Sequence, residues 1–350
     1  MKKSTWIMCL GLCAAVLAFT AGTGVNVQAA ESASEGFDPL DTSLTIDGNT
    51  YTFPDTVENL QEAGLQITVP KNVSPDKYYL VDAEDANKVS FTVYVERLDG
   101  VMYATGYQVE ASDGEGTIAS GISLDDMKAK TLQKQLKSLE EQGYEGIKIN
   151  KEEFAVYTMH VGRSWNIYLD KKNIRKVSFQ DSLLRTYGTG DAAAAKKTSK
   201  VPDDLAADEF VLNGIRYGAK STIQDLMDNG WKMTDSDLKA GKSTTLQPNY
   251  YSVSGAWLCN GDSMIYVTPY NTNTQTKKIL DCSIGSIKGR KEWNTDIHLT
   301  KGLTLGSSLK DFEGALGEQS KDTFTLENGE KISVAYPKDK SVYEIVLEKH

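Results

Sequence analysis

Apolar residues alternate with polar or small ones at Val89, Phe91, Val93 and Val95, the period-two signature of a strand with one buried face. Similar runs predict strands over Tyr78–Val81, Val89–Leu98, Met102–Glu110, Ala155–Val161 and Ile174–Phe179. In the second half they predict strands over Ala256–Cys259, Met264–Pro269, Lys278–Ile287 and Val342–Leu347. Three-residue apolar spacing at Val57, Leu60 and Ala63, and again at Ile223 and Leu226, predicts two short helices. Thr56 and Thr222 stand at their starts, where a hydroxyl can cap free amides, and Gly64 and Gly230 stand just past their ends. A longer helix is predicted over Leu124–Gln142 and a shorter one over Ser308–Leu316, closed by Gly317. Asp47-Gly48, Asn213-Gly214 and Asp99-Gly100 supply the positive-φ pairs of tight hairpins.

These elements occur twice. Ile46–Thr68 aligns without a gap on Leu212–Thr234 at an offset of 166 residues, with Gly48/Gly214, Tyr51/Tyr217, Thr56/Thr222, Leu60/Leu226 and Gly64/Gly230 identical. Gly121-Ile-Ser-Leu124 matches Gly302-Leu-Thr-Leu305 at an offset of 181, so the second copy gains 15 residues between these blocks. Ile174–Phe179 matches Val342–Leu347 at 168, because the second copy's helix is shorter. The expected fold class is therefore α+β: two tandem homologous domains, each an antiparallel sheet with two helices packed on one face. The expected boundaries are residues 41–183 and 208–350, joined by a flexible Gly-, Ala- and Lys-rich linker over 184–207 and preceded by a polar lead-in over 31–40.

The first 30 residues change the picture from a cytosolic to an exported chain. Lys2 and Lys3 precede an uncharged apolar run from Trp6 to Phe19, and Val27-Gln-Ala29 has the form of a signal-peptidase site, with cleavage expected near Ala29-Ala30. An uncleaved anchor, or lipidation at Cys13, is the alternative; Leu12 is larger than a lipobox accepts. The expected location is secreted or cell-surface, with membrane contact only through the signal segment before cleavage. Acids exceed bases by ten in the whole chain. A chain this acidic is not expected to bind nucleic acid or an anionic surface by bulk charge.

Leu303-Thr-Leu-Gly-Ser-Ser-Leu309 with Phe312, Leu316 and Gly317 resembles the strand–turn–helix phrase of α+β repeats in the beta-lactamase inhibitor proteins and the outer-membrane assembly lipoproteins. The Asn213-Gly214, Tyr217, Leu226 and Gly230-Trp231 phrase resembles tandem modules of uncharacterised exported proteins of Gram-positive bacteria. The resemblance implies secretion and a repeated module, and it brings no catalytic residues with it.

Reactive groups are sparse. The three histidines, His160, His298 and His350, have no second His or Cys at ligand spacing, so no metal site is expected. No serine lies in a G-x-S-x-G or S-x-x-K motif. Ser254-Gly255 and Ser307-Ser308 read as turn and cap chemistry. Asp82, Glu84 and Asp85 form the densest acidic cluster, a candidate cation site or a solvated turn. Cys259 and Cys282 are the cysteines outside the signal; they are a possible disulfide or two separate buried thiols. Trp165, Trp231, Tyr78 and Tyr79 are available for core packing or stacking. Trp257, Trp293, Tyr250, Tyr251 and Tyr270 gather in the expanded second copy and are the candidate binding surface. No catalytic residue or cofactor is expected. The chain reads as an exported, non-catalytic binding or envelope-associated protein whose partner is a protein or a cell-wall ligand. A secreted enzyme inhibitor or envelope hydrolase is the alternative.

Overall fold

The computed structural model describes residues 36–75, 77–113, 116–158, 161–189, 205–317, 322–337 and 341–349. The signal segment, His160, His350 and most of the predicted linker lie outside them.

The matched sequence blocks fold alike at the level of single hydrogen bonds. Asp47 and Asn213 adopt φ of 48° and 46°, and Gly48 and Gly214 follow at 79° and 77°, as a two-residue hairpin turn demands. These turns join Ser43–Ile46 to Asn49–Thr52 and Phe210–Leu212 to Ile215–Tyr217. Thr56 Oγ1 accepts from the Asn59 amide, and Thr222 Oγ1 accepts from the Asp225 amide. The two short helices run over Val57–Glu62 and Ile223–Asp228. Gly64 and Gly230 turn the chain back at φ of 98° and 91°. The next amides, of Leu65 and Trp231, then donate to the carbonyls of Leu60 and Leu226 at 2.9 and 3.1 Å. Leu65 and Trp231 are both buried, so the tryptophan in this position is a core residue.

The architecture is mixed α+β with antiparallel sheets dominant. The large sheet of the first half runs, in spatial order, Ile147–Ile149, Glu153–Thr158, Arg163–Asp170, Asn173–Asp181, Val101–Glu110, Ser90–Leu98, Tyr78–Glu84 and Gln66–Ile67. The large sheet of the second half runs Thr323–Thr325, Lys331–Ala335, Glu344–Glu348, Ser283–Arg290, Ser263–Tyr270 and Ala256–Asn260. In each sheet the last strand in sequence returns to pair with the third strand of the meander. A small sheet accompanies each large one: Ile118–Ala119 pairs with the first hairpin and Ile297–Leu299 with the second.

Two hydrophobic cores follow from the alternation. Phe91, Val93 and Val95 point into the first, with Tyr107, Trp165, Phe179 and the helix residues Leu60, Leu132 and Leu136. The second contains Phe210, Trp231, Ile265, Ile287, Ile345 and the helix residues Leu226 and Phe312. A third, smaller cluster joins Val161 and Leu183 from the first half to Cys259, Met264 and Trp293 from the second.

Three expectations need correction. The long helix begins at Ala129, because Leu124 to Met127 close a turn and Lys128 bridges to Asn173. The described ends of the predicted linker are ordered: Leu183–Tyr187 is helical, and Leu205 is buried, with its carbonyl accepting from Thr300 Oγ1 at 2.9 Å. A helix over Asp235–Ser243, capped by Thr234, fills a stretch for which no helix is predicted.

Replacing either cap tests the equivalence of the two blocks. Thr56→Ala and Thr222→Ala should each lower unfolding free energy by about 1 kcal/mol in urea denaturation. Trp165→Ala, which empties a fully buried site, should cost about 3–5 kcal/mol by the same measurement.

Candidate functional site

The five aromatic residues singled out in the second half separate into two places. Trp293 is buried, at 2% exposure, and Trp257 is half-buried. Their rings meet edge to face at 4.8 Å, and Tyr266 packs on Trp257 at 4.9 Å. Trp257 and Tyr266 stand on the face of the second large sheet that points away from its core, and that face is covered. Tyr187 and Leu183 of the short helix, with Val161, pack against Cys259, Met264 and the two tryptophans. Trp257 and Trp293 are therefore seam residues between the halves and not a free binding surface. The physical reason is that a sheet face rich in large apolar side chains gains more from tertiary cover than from water.

The seam continues into an ionic cluster. The Arg290 guanidinium, on the same sheet, places Nη1 2.7 Å from Glu292 and 3.1 Å from Glu145. Its Nη2 donates to the Gly143 carbonyl at 2.8 Å, and Nε lies 3.3 Å from Glu344. The rings of Trp293 and Tyr343 flank the guanidinium at 5.5 and 5.4 Å. Glu292 also accepts the Glu145 amide at 3.0 Å. Burial raises the Glu292 carboxyl above its ordinary value of 4.5, against the opposing pull of that amide and of Arg290. Gly143, at φ 90°, faces the Tyr343 ring so closely that a Cβ there would lie 2.4 Å from it.

The cysteines do not form the disulfide considered from sequence: both are free and buried. They lie two strands apart, with Ser263–Tyr270 between them. Cys259 faces Met264 at one end of that strand, and Ser283, next to Cys282, faces Tyr270 at the other. Six residues of strand alone separate them by roughly 20 Å, several times the reach of a disulfide. Each thiol instead contacts a carbonyl, Cys259 that of Gly261 and Cys282 that of Lys278, both at 3.2 Å. Burial pushes the Cys259 thiol up to about 12.

Tyr250, Tyr251 and Tyr270 occupy the opposite end of the second sheet. Tyr251 stacks on Tyr270 with ring centroids 4.3 Å apart, and its hydroxyl donates to the Lys349 carbonyl. Both rings press over Gly285, where a Cβ would lie 2.5 Å from each side chain. Asn271, fully buried and not anticipated from sequence, ties the loop down. Its amide nitrogen donates to the carbonyls of Leu246 and Gln275 at 2.8 and 2.9 Å. Its backbone exchanges hydrogen bonds with Asn249 and Tyr250 at 2.8 and 3.0 Å. The result is a braced loop that holds Tyr250 at 65% exposure and leaves Val253 fully in solvent.

Elsewhere, Asp82, Thr92, Gln108, Glu110 and Asp113 line an open depression on the outer face of the first large sheet. Asp113 is engaged there by the Glu110 amide at 2.7 Å, and Glu110 faces Lys176 at 3.8 Å. The acidic cluster around it is not one site. Asp85 is buried, and its Oδ1 accepts the amides of Asn87 and Val89 to close the hairpin turn, whereas Asp82 faces outward. Tyr78 is half exposed, packed on Tyr94 at 5.7 Å and under Arg185. His298 is half-buried beside Asp296 at 2.8 Å. Among the described residues, no group of three or more His, Cys, Asp or Glu side chains is placed to hold a metal ion, and no helix is long and apolar enough to cross a membrane. Comparison with protein families, curated proteins and solved structures returns no match.

Two outcomes follow from this geometry. With Cys259 raised to about 12, only about one thiol in ten thousand is ionised at pH 8. The folded protein should therefore leave Cys259 unmodified by a thiol-alkylating reagent until denaturant is added, as read by mass spectrometry. Arg290→Met strands Glu292 in the seam and should cost about 3–5 kcal/mol at neutral pH. A carboxyl raised in the fold holds its proton more tightly than in the unfolded chain. Its favourable contribution is thus present below the ordinary value and lost as pH rises through the raised one. The penalty of Arg290→Met should accordingly shrink in acid, measured by denaturation across pH.

Proposed function

We propose that this chain is an exported, non-catalytic binding protein of the cell envelope, built by duplication of one α+β domain with two helices on one face of its sheet. Its ligand is taken at the braced loop that carries Tyr250, Tyr251 and Val253. The duplication is supported by the shared strand order, the paired hairpin turns at Asp47 and Asn213, and the paired caps at Thr56 and Thr222. Export is supported by the Lys2–Ala29 pattern alone.

One observation carries the binding reading. Val253 and Tyr250 are exposed on a loop that is not loose: Asn271, the Tyr251–Tyr270 stack and the bond from Ser252 to the Pro269 carbonyl at 2.9 Å all hold it. Apolar side chains held rigidly in water lose less on contact with a partner than mobile ones, because the ordering is already done. Large exposed apolar side chains on such a frame are the features that make interface anchors.

The expected outcome is loop-dependent retention. Residues 34–350, incubated with isolated cell envelopes, should sediment with them. The pair Tyr250→Ser and Val253→Ser should lower the bound fraction by about tenfold with an unchanged melting midpoint. Retention that ignores this pair would remove the loop as the binding site.

A further inference from the structure

We propose that the outer face of the first large sheet is a second binding site, and that it takes an uncharged glycan chain. This face belongs to the other half of the chain from the Tyr250 loop, and the proposal does not depend on that loop. Strand register lays the face out. Leu80, Tyr94, Gly106, Gln180, Ser164 and Tyr157 stand opposite one another in a single row across six strands. Thr92, Gln108, Ser178 and Asn166 form the row beside it. These residues alternate with Val93, Tyr107, Phe179 and Trp165 of the core, so they point away from it. Among the described residues eight large hydrophobic side chains stay exposed, and four of them, Tyr78, Leu80, Tyr157 and Tyr168, are on this face.

One residue shapes the middle of the face. A Cβ at Gly106 would collide with the Phe179 carbonyl oxygen, so no side chain stands there. Tyr94 uses the gap. Its hydroxyl meets that of Ser178 at 2.9 Å, two strands away, a span of roughly 10 Å. The side chain therefore lies along the sheet instead of standing up from it, and Tyr78 packs edge-on against its ring at 5.7 Å. From Tyr94 to Tyr157 is four strand spacings, roughly 19 Å, room for several linked sugar rings.

Charge is kept off these two rows. On the four central strands they hold the amides of Gln108, Asn166 and Gln180 and the hydroxyls of Thr92, Tyr94, Ser164 and Ser178, but no ion, although 25% of the chain's residues are charged. Ions stand around them. Asp82 and Lys148 close the two ends of the second row, and the Glu96–Arg185 pair stands beyond the first. Glu84, Glu110, Asp113, Glu153 and Lys176 lie along the remaining side. This mainly acidic rim repels a polyanion, and the ion-free rows leave an uncharged ligand no charge to desolvate. Amides and hydroxyls both donate and accept, as sugar hydroxyls do. A pyranose also has an apolar C–H face that packs on an aromatic ring such as Tyr94 or Tyr157. A protein partner calls for an apolar centre with a polar rim; here the centre is polar and the large rings stand at the ends.

Affinity electrophoresis of residues 34–350, which form a compact unit, tests this. Of four gels cast with hydroxyethylcellulose, mannan, galactan or glycol chitin, all uncharged, at least one should retard the protein relative to a plain gel. In that gel Tyr157→Ala and the charged isosteres Asn166→Asp and Gln180→Glu should each weaken binding by about tenfold, with unchanged melting midpoints. Tyr157→Phe, which keeps the ring, should bind like the unaltered chain. No retardation in any of the four gels overturns the proposal, and so does retardation indifferent to Tyr157→Ala and to both isosteres. Retardation only by anionic carboxymethylcellulose or cationic glycol chitosan also overturns it, since it would assign the binding to the charged rim. Envelope retention that needs Tyr157 but is lost when the envelopes are treated with protease would give the face to a protein partner instead.

Discussion

Arg290 is the point on which the arrangement of the two halves depends. Its guanidinium is nearly buried, and its contacts come from both sides of the seam: Glu145 and the Gly143 carbonyl from one, Glu292 and Glu344 from the other. A buried charge of this kind costs several kcal/mol of desolvation unless its partners are all present. The seam therefore tolerates one alignment. Sliding either half would strand Arg290, Glu292 or both. Beside this ionic pin, Trp257, Trp293, Tyr187 and Leu183 supply the apolar cover. The aromatic residues close the gap, and the charges fix the register.

This division of labour leaves the end of the second sheet away from the seam accessible. The second sheet has two exposed-facing ends by its own topology. One is occupied by the first half. The other carries the inserted residues: the Asp235–Ser243 helix, the Tyr250 loop and the segment after Asn271. The first half has no such insertion, and its sheet presents a polar outer face, where Tyr94 and Ser178 hydroxyls meet at 2.9 Å. The two halves share what makes a core and differ at an accessible end of the second sheet.

Much of the fold could be read from the chain because its signals are local. Hairpin dipeptides, threonine caps and period-two alternation depend on residues within a few positions of one another, and Asp47, Asn213, Thr56, Thr222 and Phe91–Val95 behave as that chemistry requires. The helix over Asp235–Ser243 escaped because only one of its residues, Gly241, is buried, and a helix with so little apolar stripe has no period to detect. The role of Asn271 was equally hidden, since an asparagine in a Thr- and Asn-rich loop looks like solvent-facing turn chemistry.

The candidate site shows where reading the chain stops. By itself the sequence determined that a strand–helix pattern recurs and that aromatic residues gather in the second half, and it raised the expectation of export. Each of these is a property of residue type and spacing. Only the tertiary structure decided that Trp257 and Trp293 are covered, that Cys259 and Cys282 stand at opposite ends of an intervening strand, and that Asn271 and the Tyr251–Tyr270 stack brace a loop on which Tyr250 and Val253 are exposed. These are questions of which face of a sheet meets another element. Side chains alternate faces by sequence, but what covers each face is set by contacts between residues more than a hundred positions apart, such as Leu183 and Trp293, and no local spacing encodes them.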